Sequence, residues 1–291
     1  MALIEVGDLG VPINTLVEKI SNAIGHIAEP HLIRRRAAAE AAALITSTKA
    51  KNIAATLEAR TAARIEHQQI KRQINIESVA AIAFDNLSPQ ATPEKIDDDW
   101  LSLFFRHCEL VSDEQMQTLW GRILATEAER SGAFSKRTLA IVATLSKLDA
   151  EDITTLGQFC VKIESEQHCL VTDHNHPLYI KAGLKWSKFK HLATAGIIVF
   201  DDGGGLLRSS GYGIQLTNQS DPKLFNFSYF DREYQLELTQ PHAHIHMGSV
   251  MLTDSGKELI EICGATANHE FMPEAFRYWR NREVIVPISV P

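Results

Sequence analysis

Apolar residues recur at helical spacing through residues 97–153, and the residues between them are of the kinds that begin and end helices. Ser112 is predicted to cap one helix, with Gln115 completing a capping box three residues later. Gly132 is predicted to end that helix in the left-handed conformation, and Ser135 to cap the next one. The pattern predicts a compact bundle of short, capped helices. Its apolar stripes comprise Trp100, Leu101, Leu103, Phe104, Phe105, Leu110, Met116, Leu119, Trp120, Ile123, Leu124, Leu139, Ile141, Val142 and Leu145.

The fourth helix of this bundle is predicted to start at Leu148 and to continue through Ile163. Trp100 and Trp120 are predicted to lie in the core, because large aromatic rings dominate core packing; a ligand role is the alternative. On the central helix, Arg122 and Glu127 are interpreted as an ion pair or as surface groups rather than as an acid–base couple.

The first apolar stripe of the chain follows Pro12, which can open a helix. The stripe comprises Ile13, Leu16, Val17, Ile20, Ile24 and Ile27. We expect this helix to pack on the body of the protein or in an oligomer. A membrane-surface helix is the alternative, but its polar face carries one Lys and two Glu, which suits anionic lipid poorly.

Residues 31–84 contain neither glycine nor proline and are rich in strong helix formers. One continuous helix over this range would be roughly 80 Å long. Its large apolar residues are sparse, so a solitary helix would bury too little surface to stay ordered. We therefore expect it to pair with a second copy of the chain. The candidate oligomerisation residues are Leu44, Ile45, Ile53, Leu57 and Ile65.

The C-terminal half changes to short strands between helices. A helix over 186–195 is predicted to end at Gly196 and to be followed by a strand at 197–200. A second strand at 249–253 leads into a helix that begins at Asp254. The segments HLATAGII and VMLTDSGKEL resemble winged-helix domains, in which the helix before the wing often enters the major groove of DNA. The long stretch between the two strands implies an inserted β-element, which is predicted to contain strands at 212–217, 224–230 and 234–239.

The expected fold class is α+β. A mostly helical N-terminal half contains one long Ala-rich helix and a small bundle, and a winged-helix-like module with a β-insert follows. The expected domains are residues 1–84 (amphipathic helix and long helix, the assembly element), 85–99 (linker), 100–165 (capped helical bundle) and 166–291 (winged-helix-like module).

Several central motifs resemble a bacterial family, domain of unknown function 2806. They are DDDW at 97–100, Phe104-Phe105, VSDE at 111–114, Met116-Gln117, LWGRILA at 119–125, FSKRTL at 134–139 and LDA at 148–150, with Gly7-Asp8-Leu9-Gly10, Leu252-Thr253 and Gly256 outside the centre. This resemblance covers nearly the whole chain and implies no established activity or catalytic residue. The layout of the LW, ILA, LS and DA motifs is more loosely similar to the abortive-infection alpha proteins of bacterial phage defence.

Charge is unevenly distributed along the chain. The net charge is −7, which argues against general nucleic-acid binding. Residues 31–84 nevertheless carry nine basic and four acidic residues, a net of +5, so a basic helix joins an acidic body. No apolar run reaches membrane-spanning length, no leader is expected, and the four cysteines match neither a zinc motif nor a disulfide framework. A cytoplasmic location with reduced thiols is expected.

Two groups of residues are candidates for binding. Lys181, Lys185, Lys188 and Lys190 lie on or near the predicted recognition helix and could contact DNA, although a solvated helix face is the favoured interpretation. His242, His244 and His246 alternate, so on a strand they would share a face and could bind zinc, but no acidic residue lies among them. No cofactor and no catalytic residue are predicted.

These observations lead to three functional hypotheses. The first is a non-enzymatic, self-associating interaction protein that acts in phage defence and binds itself or another protein. The second is a DNA-binding winged-helix regulator, which is not favoured. The third is a metal-dependent hydrolase at the strand of three histidines.

Overall fold

The computed structural model describes residues 10–25, 27, 56–201, 212–215, 221, 223–241 and 244–286. The helices are α1 (Gly10–Ile24), α2 (Leu57–Asn86), α3 (Asp98–Cys108), α4 (Glu114–Glu129), α5 (Lys136–Val142), α6 (Lys147–Gly157), α7 (Pro177–Lys181), α8 (Trp186–Thr194), α9 (Asp254–Ile262) and α10 (Phe271–Asn281). The strands are β1 (Cys160–Ile163), β2 (Glu166–Cys169), β3 (Ile198–Phe200), β4 (Tyr212–Gln215), β5 (Leu224–Tyr229), β6 (Arg232–Glu237), β7 (His244–Gly248) and β8 (Val250–Leu252). The predicted α+β class is confirmed. The chain forms two compact units, Met1–Thr144 and Leu145–Pro291, so α6 lies in the second unit.

In the first unit, α1 packs on the body of the protein. Leu16 and Ile20 are fully buried, and the Lys19 ammonium donates to the Ile96 carbonyl at 2.8 Å and to the Asp98 carboxylate at 2.6 Å. Packing on the body was the first of the alternatives for this stripe. Among the described residues, no helix is long and apolar enough to span a membrane.

Helix α2 has two different halves. Its second half packs closely on α4, with Val79, Ala80 and Ala83 fully buried. Its first half is largely exposed and begins after Thr56, whose hydroxyl accepts the Ala59 N–H. The described helix is therefore shorter than the continuous helix considered from the sequence, and residues 31–55 of that range lie outside the described residues.

The predicted aromatic core of the bundle is confirmed. Trp100 and Trp120 are buried, and the Phe104 ring lies 5.2 Å from each of them. The Trp100 indole N–H donates to the Phe134 carbonyl at 2.8 Å, so its polar edge is also satisfied. Glu127 was interpreted as part of an ion pair or as a surface group; it is only 2% exposed, so the second alternative was wrong.

The helix caps agree with prediction at some sites and differ at others. Ser135 caps α5, and Gly132 has a φ of +84°, as predicted. The cap of α4 is Asp113 rather than Ser112. Its carboxylate accepts the N–H groups of Gln115 and Met116 at 3.0 Å, and a charged acceptor bonds these groups more strongly than a hydroxyl.

In the second unit, the helix that was predicted to run from Leu148 through Ile163 ends at Gly157. Residues 160–163 instead form β1, which pairs antiparallel with β2 through a tight turn with positive φ at Glu164 and Ser165. The alternation of buried and exposed side chains at the end of β1 is the period of a strand, and this tertiary pairing overrides the helical pattern.

The sheet order is β2-β1-β5-β6, and β3 pairs with β8 while β4 pairs with β7. Gly248 forms a parallel bridge with Val171 and has a φ of +99°, and a β-carbon at this position would collide with the Val171 carbonyl. Helix α10, which the sequence pattern did not reveal, packs Trp279 against the rings of Phe225 and Phe227. After α10, Ile285 pairs antiparallel with Leu238.

Candidate interaction surface

Helix α8 buries one face and exposes the other. It begins after a turn in which Gly183 has a φ of +96°, and Gly196, at +80°, ends it as predicted. Phe189 and Leu192 are fully buried, three residues apart on the inner face. Trp186 is the first residue of α8, and it is 48% exposed. Exposed tryptophan is unusual on a surface without a partner, because its ring is largely apolar.

Trp186 belongs to a mixed aromatic and cationic patch. The Lys190 ammonium lies 5.5 Å from the ring centroids of both Trp186 and Phe200. The Phe200 ring also contacts His174, with centroids 5.3 Å apart. We call Trp186, Lys190, Phe200 and His174 the Trp186 surface. It combines a positive charge with exposed apolar area.

Most of the four candidate lysines are engaged within the protein. Lys188 donates to the Asp152 carboxylate at 2.6 Å, and this hydrogen bond raises the Lys188 pKa. Lys181 donates to Glu270 at 2.7 Å. Lys190 lies over two rings, and Lys185 is exposed at the start of α8. Carboxylates therefore engage two of the four lysines, and DNA contact by the group stays a prediction.

A second contact between α6 and α8 involves Asp149. His191 Nε2 lies 2.5 Å from its carboxylate, and the Ser146 N–H and hydroxyl donate to the other oxygen at 2.7 and 2.8 Å. Burial acts to raise the Asp149 pKa, but the bonds from Ser146 and His191 outweigh it and the pKa is lowered. Ser146 bonds the carboxylate and not the imidazole, so this arrangement lacks the serine–histidine contact of nucleophilic catalysis.

Two of the three histidine candidates lie among the described residues. His244 is exposed and His246 half-buried on β7, opposite Gln215 and Gly213 of β4. His242 lies outside the described residues. Across the part of the chain that the structure describes, no three His, Cys, Asp or Glu side chains are close enough to hold a metal.

Two of the five oligomerisation candidates lie among the described residues. Leu57 is 72% and Ile65 48% exposed, both on the first half of α2. Leu44, Ile45 and Ile53 lie outside the described residues. The sequence pattern identified these two positions because they are large apolar residues in a polar segment.

Other features could not be read from the sequence. Trp186 was recognised only as the start of a helix, and its exposure depends on which face of α8 is buried. A hollow of about 440 Å³ lies beside Tyr229, Tyr234 and Phe276, and another of about 240 Å³ exposes part of Cys160. Both form between elements distant in sequence.

A family model described as protein of unknown function (DUF2806) matches residues 59–275, most of the chain. The chain belongs to this family. The DUF2806 match covers part of both compact units and includes α2 from Ala59 onward, the Trp186 surface and β1–β2. No curated protein and no solved structure matches the chain.

Proposed function

We propose that this DUF2806 protein is a non-enzymatic interaction protein that self-associates through the first half of α2. The observation that carries the proposal is the exposure of Leu57 and Ile65, 72% and 48%, on a helix whose second half is buried. Exposed large apolar side chains on one helix are a usual basis for helix–helix association, because pairing removes them from water.

A second copy of the same helix is the partner that fits. Leu57, Thr61 and Ile65 recur every four residues and so share one side of α2. In an antiparallel pair centred on Thr61, Leu57 of one copy faces Ile65 of the other. In such a twofold pair both copies use the same surface, so association through this contact stops at a dimer.

The mass of the purified protein in solution, measured by light scattering at moderate and high salt, tests this proposal. We expect a discrete oligomer, and the double variant L57Q/I65Q is expected to be monomeric at the same concentration. The matched control L110Q/L148Q replaces two other exposed leucines, 66% and 63% exposed, and is expected to keep the oligomer.

A cross-link tests the register itself. Thr61→Cys is expected to give a disulfide-linked dimer on oxidation, because the twofold axis of the pair brings position 61 of the two copies together. A wild-type protein that is monomeric at all concentrations contradicts the proposal. If L110Q/L148Q weakens association as much as L57Q/I65Q does, α2 is not the specific site of contact.

A second candidate function is macromolecular binding by a winged-helix-like module. The order α6, α7, α8, then β3 paired with β8, then α9 supports it, as does the Trp186 surface on α8. We favour protein over DNA as the ligand, since Lys181 and Lys188 are engaged with carboxylates, and since Asp149 and Asp152 of α6 contact residues of α8. A salt-sensitive DNA shift at low salt that K185E/K190E abolishes would favour DNA instead.

The phage-defence role rests on the similarity to abortive-infection alpha proteins. We expect cells that express the protein to resist phage infection, and cells that express L57Q/I65Q to lose this resistance if assembly is required. Unchanged plaque counts with the wild-type protein, across a panel of phages, would contradict the role in defence and leave self-association to be judged by mass alone.

A further inference from the structure

Cys160 and Cys169 lie directly opposite each other on the antiparallel pair β1–β2. Both are free thiols, and both are buried. Because opposite residues of an antiparallel pair point to the same face, the two side chains project in the same direction. Burial is the main cause that raises the Cys160 pKa above its ordinary value, and contact with the Cys169 thiol raises it further.

The hydrogen bonds identify the type of cross-strand site. The Leu170 N–H donates to the Phe159 carbonyl at 2.8 Å. This bond joins the residues just outside the Cys160–Cys169 pair, as it does around a non-hydrogen-bonded pair. The α-carbons of such a pair are about 4.5 Å apart, which falls within the range of roughly 4.4–6.8 Å found for disulfides. The backbone therefore already has a separation that a disulfide can bridge.

We propose that Cys160 and Cys169 are an oxidative modification site, which forms an intrachain disulfide across β1–β2 when the protein meets a peroxide. Cys160 lines the hollow of about 240 Å³ together with Gly157, Lys162 and Ser228, whereas Cys169 is fully buried. Peroxide entering the hollow reaches Cys160 first. Cys169 is then the resolving thiol.

The reaction balances with one peroxide. The Cys160 thiol loses its proton, and the thiolate attacks a peroxide oxygen as the O–O bond breaks. The hydroxide that leaves takes up the proton, so a sulfenic acid and one water form. The Cys169 thiol then attacks the Cys160 sulfur and expels a second water as the S–S bond forms. Two thiols are oxidised and one hydrogen peroxide is reduced. Because burial keeps Cys160 protonated at neutral pH, we expect the reaction to be slow there and to accelerate as pH rises.

Peptide mapping after peroxide treatment tests this proposal. The folded protein is treated with hydrogen peroxide, alkylated in denaturant and digested with trypsin. Lys162 lies between the two cysteines, so they fall on separate peptides that only a disulfide can join. We expect a joined peptide pair lighter by two hydrogen atoms than its separate members, and a fall in free thiols from four to two in the C160–C169 disulfide form.

Three variants serve as controls. Cys160→Ser and Cys169→Ser are each expected to abolish the joined peptide, and Cys108→Ser is expected to leave it unchanged because Cys108 is buried in the other compact unit. Circular dichroism checks that each variant is folded. The peptide map of the wild-type protein tests the disulfide even if a variant fails to fold. Alkylation of both Cys160 and Cys169 after peroxide treatment of the folded protein overturns the proposal.

Discussion

Replacing Gly121 by alanine should destabilise the first compact unit, because α2 crosses α4 at this glycine. A β-carbon at position 121 would lie 2.4 Å from Ile82 Cγ2, 2.7 Å from Ile82 Cβ and 3.3 Å from the Ala83 nitrogen. The Cγ2 atom can move by rotation of the side chain. The Cβ and the backbone nitrogen can move only if the helix shifts.

Two opposing effects set the magnitude. Alanine in a helix interior is more favourable than glycine by about 1 kcal/mol. Overpacking a close contact that can relax only by backbone movement typically costs about 1–3 kcal/mol, and contacts below 3 Å place this site toward the upper end. We expect a net loss of about 1–2 kcal/mol in the free energy of unfolding, since the clash outweighs the gain in helix propensity.

Hydrogen exchange of α4 peptides under native conditions measures this loss for the first unit alone. Gly10→Ala is the control, because a β-carbon there meets nothing within 4 Å. The double variant Gly121→Ala with Ile82→Ala should recover part of the loss, since it removes the nearest clashing atom but keeps Ile82 Cβ. A Gly121→Ala protein as stable as Gly10→Ala would refute the close approach of the two helices.

Three further predictions concern single buried sites. Glu127 accepts the N–H groups of Gly132 and Phe134 at 2.6 and 3.0 Å. Leaving a buried donor without a partner costs about 1–3 kcal/mol, so Glu127→Ala should lower the free energy of unfolding, measured in urea, by a few kcal/mol. Glu127→Gln should lower it less. Gly248→Ala should give little folded protein in thermal melts, because its β-carbon would lie 1.9 Å from the Val171 carbonyl oxygen at a φ of +99°. Burial, followed by the charge of Lys257, lowers the pKa of His168 to about 4. The unfolded chain therefore binds a proton that the folded chain does not between about pH 6.5 and 4, and stability should fall as pH falls through that window, less steeply in His168→Gln.

The helical half of the fold could be predicted from the sequence because its signals are local. The stop at Gly132 and the cap at Ser135 depend on residues within one turn of each other, and both were predicted correctly. The cap at Ser112 was wrong by one residue, since both Ser112 and Asp113 can accept a backbone N–H and the carboxylate is the stronger acceptor.

The limits of prediction appear where tertiary pairing decides. Cys160–Ile163 continues an apolar helical pattern from α6, and only its pairing with β2 makes it a strand. Glu127 resembles a surface acid in sequence, but the chain reversal at Gly132 brings two backbone donors to it. No pattern in one segment can reveal a partner supplied by another.

The same reasoning explains why the charge of α8 was hard to interpret. From the sequence, a basic cluster lies on or near a helix that resembles a recognition helix, and it comprises Lys181, Lys185, Lys188 and Lys190. In the structure, Asp152 and Glu270 neutralise two of them.

Trp186 remains about half exposed on α8, and aromatic residues are enriched at protein interfaces. The two exposed surfaces can therefore be separated by experiment. If α2 provides assembly and α8 binds a different ligand, Trp186→Ala should leave the mass in solution unchanged, whereas L57Q/I65Q should not. A loss of mass in both variants would mean that α8 also takes part in assembly.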